Sequence, residues 1–150
     1  MLISALPRPV VILGLAGILP QIASFAVVLF WPEWRWVALV AACFYAALIF
    51  SFLGGLWWMQ ALLRDERRWS PYLLSVVPSL LGWAALMPWC LGWTWPGPAM
   101  ALLGLAVLLS PLVDRKLAAV VPVSPAWLQL RAMMATGLGV LTVALTLIAG

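Results

Sequence analysis

Apolar residues run along this chain in long blocks, and the breaks between the blocks are few and short. Charged residues fall at position 8, at 33–35, 64–68 and 114–116, and at 131, with prolines crowding most of the same places. A helix needs about 20 apolar residues to cross the hydrocarbon of a bilayer. The blocks so delimited predict five crossing helices, at 10–30, 36–60, 72–91, 98–113 and 127–148. The fourth is short, so it either extends into residues 93–98 or lies where the bilayer thins. Little chain remains outside the five, so residues 1–150 read as one transmembrane domain, an all-α bundle of five helices.

Composition agrees with that pattern and narrows the class. The chain is 67% hydrophobic and 8% charged, with mean hydropathy +1.15. Soluble domains carry about 25% charged residues, so an ordinary soluble protein is excluded. The first block is longer than a signal-peptide core, and no small-residue cleavage site follows it, so it reads as a retained helix. Cys43 and Cys90 are isolated in apolar surroundings, in a chain without histidine. They make neither a zinc site nor a redox pair and read as small packed hydrophobes. No metal or resident cofactor is expected.

Charge adds orientation. With five spans, one side of the membrane holds Arg8, Arg64, Arg67, Arg68, Arg115, Lys116 and Arg131, and the other holds Arg35. Lys and Arg mark the cytoplasmic side, so the N-terminus is expected in the cytoplasm and the C-terminus in the periplasm. The net charge of +4 belongs to that membrane face and gives no reason to expect nucleic acid as a partner. The mixed-sign run 64–68 faces lipid headgroups, which attract basic residues by about 1 kcal/mol each.

The chain has eleven tryptophans. Trp31, Trp34, Trp36, Trp89, Trp93 and Trp95 fall at one predicted membrane interface, and Trp57, Trp58, Trp69 and Trp127 at the other. Only Trp83 falls near mid-membrane. Indole favours the headgroup level, where its ring meets hydrocarbon and its N–H finds a partner. Trp34, Trp36, Trp57, Trp58, Trp93 and Trp127 are accordingly read as interfacial anchors.

Small and polar residues inside spans carry the remaining information, because they allow close helix approach and cost energy if left facing lipid. In the first helix Gly14, Gly17, Gln21 and Ser24 share a face, beside the bend expected at Pro20. In the second, Ser51 and Gly55 form a small-xxx-small pair next to Gly54. In the third, Ser75, Ser79 and Gly82 share a face beside Pro78. Gly139, Thr142 and Thr146 make a stripe in the fifth. The second and third helices meet through these segments in their cytoplasmic thirds. Two readings of that junction stay open. It is either sealed helix packing, or a cavity floored by Gly54, Gly55, Ser75 and Ser79, with Arg131 and Gln21 as polar contacts. An interfacial salt bridge, Asp114 to Arg131, is expected to fix the hairpin of the last two helices.

The segments YAALIFSFLGGLWW (45–58), LLSVVPSLLGWAAL (73–86), LGLAGILP (13–20), LVDRKLA (112–118) and PAWLQLR (125–131) resemble the successive signatures of one membrane family. It is the domain of unknown function 3429 family, of transmembrane protein 69-like membrane proteins. The resemblance implies a multi-pass protein of the bacterial inner membrane, with relatives in the mitochondrial inner membrane. It supplies no activity.

An enzyme needs groups that move protons, attack or bind a metal. All four acids, Glu33, Asp65, Glu66 and Asp114, lie in predicted loops or at predicted helix ends, and no nucleophile–base set is visible. The chain is therefore expected not to be an enzyme. Two functions remain. One is an accessory or assembly subunit, packed against a membrane-protein partner in a larger respiratory or photosynthetic complex. The other is a binding protein or carrier for a lipid, quinone or tetrapyrrole in a cavity of the cytoplasmic leaflet.

Overall fold

The computed structural model describes residues 2–92, 96–119 and 122–149. The described residues form α1 (Arg8–Ala16), α2 (Leu19–Phe30), α3 (Arg35–Leu63), α4 (Trp69–Cys90), α5 (Gly97–Ala118) and α6 (Pro125–Ala149). Single 3₁₀ turns occupy Leu2–Ala5 and Pro32–Trp34. Because α1 and α2 follow one another in the span Arg8–Phe30, five stretches among the described residues are long and apolar enough to cross a membrane.

The break between α1 and α2 comes from Pro20, which has no N–H for the carbonyl of Ala16 and crowds it. The backbone tightens there, with Ile18 N–H bonding Leu15 O at 3.0 Å and Gln21 N–H bonding Ile18 O at 3.1 Å. The carbonyl of Gly17 loses its helical donor and accepts instead the Tyr45 hydroxyl of α3, at 2.5 Å.

The fourth span is longer than the 98–113 predicted, because the charges at 114–116 do not stop it, nor does the proline inside it. Pro111 deprives the Val107 carbonyl of its donor, and the hydroxyl of the preceding Ser110 takes that place at 2.8 Å. The helix continues to Ala118, with Arg115 and Lys116 in its last turn, where cations meet the negative end of the helix dipole. Asp114 therefore belongs to the helix body. α3 also overruns its predicted limits and ends in a Schellman turn. Glu66 N–H reaches Ala61 O at 3.1 Å and Asp65 N–H reaches Leu62 O at 3.0 Å. Asp65 takes the left-handed position, φ 52°, that glycine usually holds. Gly92, φ 81°, holds the equivalent place after α4.

α3 is the central helix. Half of its most apolar window is buried inside the bundle, against 6% for the span made by α1 and α2. The hairpins α3–α4 and α5–α6 make the most extensive contacts. In the second hairpin, a Cβ on Gly139 would lie 3.0 Å from Gly104 O, and one on Gly104 would lie 3.3 Å from Gly139 O. Polar clasps close both ends of the bundle. Arg64 Nη2 donates to Pro122 O at 3.1 Å at the end rich in arginine, here the basic end. Arg35 Nη2 donates to Ile148 O at 2.6 Å at the other. Cys43 lies in the core, whereas Cys90, expected to be packed, is exposed where α4 stops.

The α3–α4 turn is pinned by charge. Arg68 donates from Nε to Glu66 Oε1 at 2.9 Å, from Nη2 to Oε2 at 2.8 Å, and from its backbone N–H to Oε1 at 3.0 Å. These bonds hold the Glu66 carboxyl down from its ordinary 4.5 to about 2. The folded value lies below the unfolded one, so the contribution is complete above about 4.5 and disappears as pH falls towards 2. Titration of Glu66 by NMR should show that low midpoint, and Arg68→Ala should return it towards 4.5. An unchanged midpoint in the variant would remove this pinning.

Candidate functional site

The junction of α3 and α4 is sealed. A Cβ on Gly54 would collide with the backbone oxygen of Ser75, and Pro78 Cβ lies 3.4 Å from the same point. One turn pair away, Gly82 would bring a Cβ within 3.3 Å of Ala47 O. Ser75 turns its hydroxyl onto its own helix, donating to Pro71 O at 2.7 Å. These residues, read from the sequence as either helix packing or the floor of a cavity, fill the contact.

Gly55 is corrected more sharply. It is exposed, and a Cβ there would meet nothing within 4 Å. Adjacent helix positions point about 100° apart, so only Gly54 of the pair faces α4. Ser51 and Ser79 lie at the outer edge of the junction, their hydroxyl oxygens 2.8 Å apart. With α3 running from Arg35 to Leu63 and α4 from Trp69 to Cys90, both serines are near mid-span, deeper than predicted.

Asp114 and Arg131 are paired, with Nη2 to Oδ2 at 3.1 Å and to Oδ1 at 3.4 Å. The pair was expected at the interface, but its side chains are only 7% and 3% exposed, inside the bundle. A third group joins them: Trp57 Nε1 donates to Asp114 Oδ1 at 2.6 Å. Trp57 is 3% exposed and is therefore not an anchor in the headgroups. Its indole belongs to the core, and its N–H helps to satisfy a carboxylate that the apolar interior would not tolerate alone.

Gln21 is also removed from the expected cavity. It is fully buried and donates from Nε2 to Thr142 Oγ1 at 2.7 Å, joining α2 to α6. Thr142 in turn donates to Leu138 O at 2.8 Å. Trp34, Trp36 and Trp58 are exposed, and Trp58 meets Tyr72 edge-on at 5.1 Å. Trp93 lies outside the described residues.

A cleft that holds several of the predicted residues lies on the other side of α3. This cleft of about 310 Å³ runs between α1, α3 and α6, with Val10, Leu13 and Phe52 at its exposed mouth. Gly14, Gly17, Trp127 and Arg131 line it. A smaller cavity of about 30 Å³ adjoins it, sharing Gly14, Gly17 and Arg131 and reaching the buried Val107 and Leu138. Gly14, Gly17 and Arg131, singled out in the sequence for packing or a cavity, thus meet at one, though not with the partners expected. Tyr45, Gly104 and Ser110 were missed. Of these, only Ser110 has a local signal, a hydroxyl immediately before a mid-helix proline.

The family model described as "Protein of unknown function (DUF3429)" matches residues 6–148 of the chain. Transmembrane protein 69 of Xenopus tropicalis is 34% identical over 88 residues, which cover 54% of this chain and 33% of that protein. The chain thus spans about a third of that relative's length. No solved structure matches.

Two measurements probe the site. Gly54→Ala should lower stability in detergent by about 1–3 kcal/mol through overpacking, while Gly55→Ala should leave Tm unchanged or slightly raised. Equal effects would remove the assignment of faces. Asp114→Ala strands a buried cation and should cost about 3–5 kcal/mol, whereas the double variant Asp114→Leu/Arg131→Met should recover most of it. A double variant no better than the single would mean that the pair does not act as a unit.

Proposed function

The chain belongs to the family described as Protein of unknown function (DUF3429), and from that premise we propose that it is a non-catalytic accessory or assembly subunit of a larger membrane complex. The reading places it in the bacterial inner membrane, with the basic end in the cytoplasm. The asymmetry of seven basic residues against one supports that orientation.

The observation that carries the reading is the outward face of the α3–α4 hairpin. Near mid-span it presents the Ser51–Ser79 hydroxyl pair and, beside it, the bare backbone at Gly55. Trp83, one turn beyond Ser79, is 62% exposed and away from the helix ends where indoles anchor. In lipid there is no hydrophobic drive between helices, so association depends on close backbone approach and on hydrogen bonds between helices. Small residues and hydroxyls turned outward at mid-depth provide both to a transmembrane helix of a partner protein. The closest approaches of α3 and α4 use Gly54, Pro78 and Gly82, which leaves the backbone at Gly55 unused by the bundle itself.

Gly55→Leu tests this, because a Cβ at that position meets no group of the bundle within 4 Å. On native gels of solubilised membranes, the chain should migrate in a complex larger than a self-oligomer. Gly55→Leu should shift it to the free form with Tm unchanged, while Leu105→Ala, on the exposed side of α5, should not. A complex that survives Gly55→Leu, or that contains only copies of this chain, would overturn the reading.

A further inference from the structure

The cleft between α1, α3 and α6 is on a different face from the small-residue patch and poses a separate question. Its walls are apolar over most of their length, yet one of the lining residues is Arg131, 2% exposed. The nearest approach and the hydrogen bond to Asp114 both fall on Nη2, one nitrogen of a guanidinium that carries five N–H donors. α1 leans on α6, and α2 on α3. The break at Gly17–Ile18 thus lets α1 stand away from α3 and opens the cleft sideways. At the mouth Leu13 and Phe52 are 72% and 59% exposed, facing where acyl chains would lie.

Charge decides what could enter. Arg131 and Asp114 already neutralise one another inside a low-dielectric bundle, and Trp57 supplies the second donor to the carboxylate. An acidic headgroup brought to Arg131 would leave one uncompensated negative charge buried, and an amine would leave a positive one. Either is costly. A neutral oxygen acceptor gains the hydrogen bond without that cost. Size decides further. A cleft of about 310 Å³ is at the lower limit of ligand sites. It takes a single ring but not a tetrapyrrole, for which the chain also offers no histidine ligand.

We infer that this cleft is a binding site for a neutral, carbonyl-bearing lipid of the quinone class, with its head ring against Arg131 and its chain leaving between α1 and α3 into the bilayer. Gly14 keeps the wall thin at the ring. A Cβ there would meet Met134 Sδ at 3.1 Å, and Met134 is a flexible side chain suited to closing over a flat ligand.

The test uses the full chain in lipid nanodiscs with decylubiquinone as the probe. The wild type should show a saturable rise in Tm of about 5 °C. Val10→Trp, which fills the mouth at an exposed position and leaves the ion pair intact, should abolish the rise. Arg131→Lys, which keeps a cation for Asp114 but removes the guanidinium fork, should reduce it, and Gly55→Leu should leave it unchanged. No rise in the wild type would overturn the inference. So would a rise that persists in Val10→Trp, or one produced by palmitate or phosphatidylglycerol but not by the quinone.

Discussion

The carboxylate of Asp114 is the point on which the bundle depends. It receives the Trp57 indole N–H from α3 at 2.6 Å and faces the Arg131 guanidinium of α6 at 3.1 Å, while its own backbone belongs to α5. Three spans are therefore fixed at one depth by a single side chain. A hydrophobic cluster of the same volume would serve stability as well or better, since desolvating two charges offsets much of their attraction. What an apolar contact lacks is register. Leucines slide past one another in a bundle immersed in hydrocarbon, whereas a buried carboxylate with two donors has one acceptable position.

Close packing elsewhere follows from that register. Gly104 and Gly139 cross with each carbonyl against the other's α-carbon, and Gly54 lies against the Ser75 carbonyl. Contacts of this kind cannot tolerate a shift of one residue in either direction. The ladder of Gln21 to Thr142, and of Thr142 to Leu138, applies the same logic on the far side of α6, where α2 is held by one amide. Polar groups inside this protein are positioning devices before they are anything else.

The legibility of the sequence divides along the same physical line. Five spans could be read because hydrocarbon sets a minimum length, and Asp114 and Arg131 could be paired because isolated charges near apolar runs need one another. Which face of each helix points inward could not be read. α3 is apolar all round, so hydrophobic periodicity carries no direction, and Gly55 was placed in the junction together with Gly54, although only Gly54 meets α4. Trp57 failed for a related reason. Depth alone makes any tryptophan near a helix end an anchor, and only the tertiary contact with Asp114 separates it from Trp58, the exposed neighbour. The extent of α5 was missed because the charges at 114–116 read as a stop, although Asp114 is paired inside the bundle and Arg115 and Lys116 sit in the last turn of the helix.

These assignments make α3 a helix with four separate duties. Gly54 closes on α4, Trp57 fixes the carboxylate of α5, Leu53 and Ile49 form the inner wall of the cleft, and Gly55 with Ser51 faces outward. Four duties on one helix have a consequence for coupling. A ligand entering the cleft presses on Leu53 and Ile49, whose neighbours along the helix face both the carboxylate and the outward patch. α3 cannot rotate to relieve that pressure, because Gly54 admits no other residue against Ser75. Any response must therefore pass to α1, which leans on α6 and is separated from α2 by the break before Pro20. The first span is the one least buried in this architecture, and the surface proposed for a partner is on the central, most buried span.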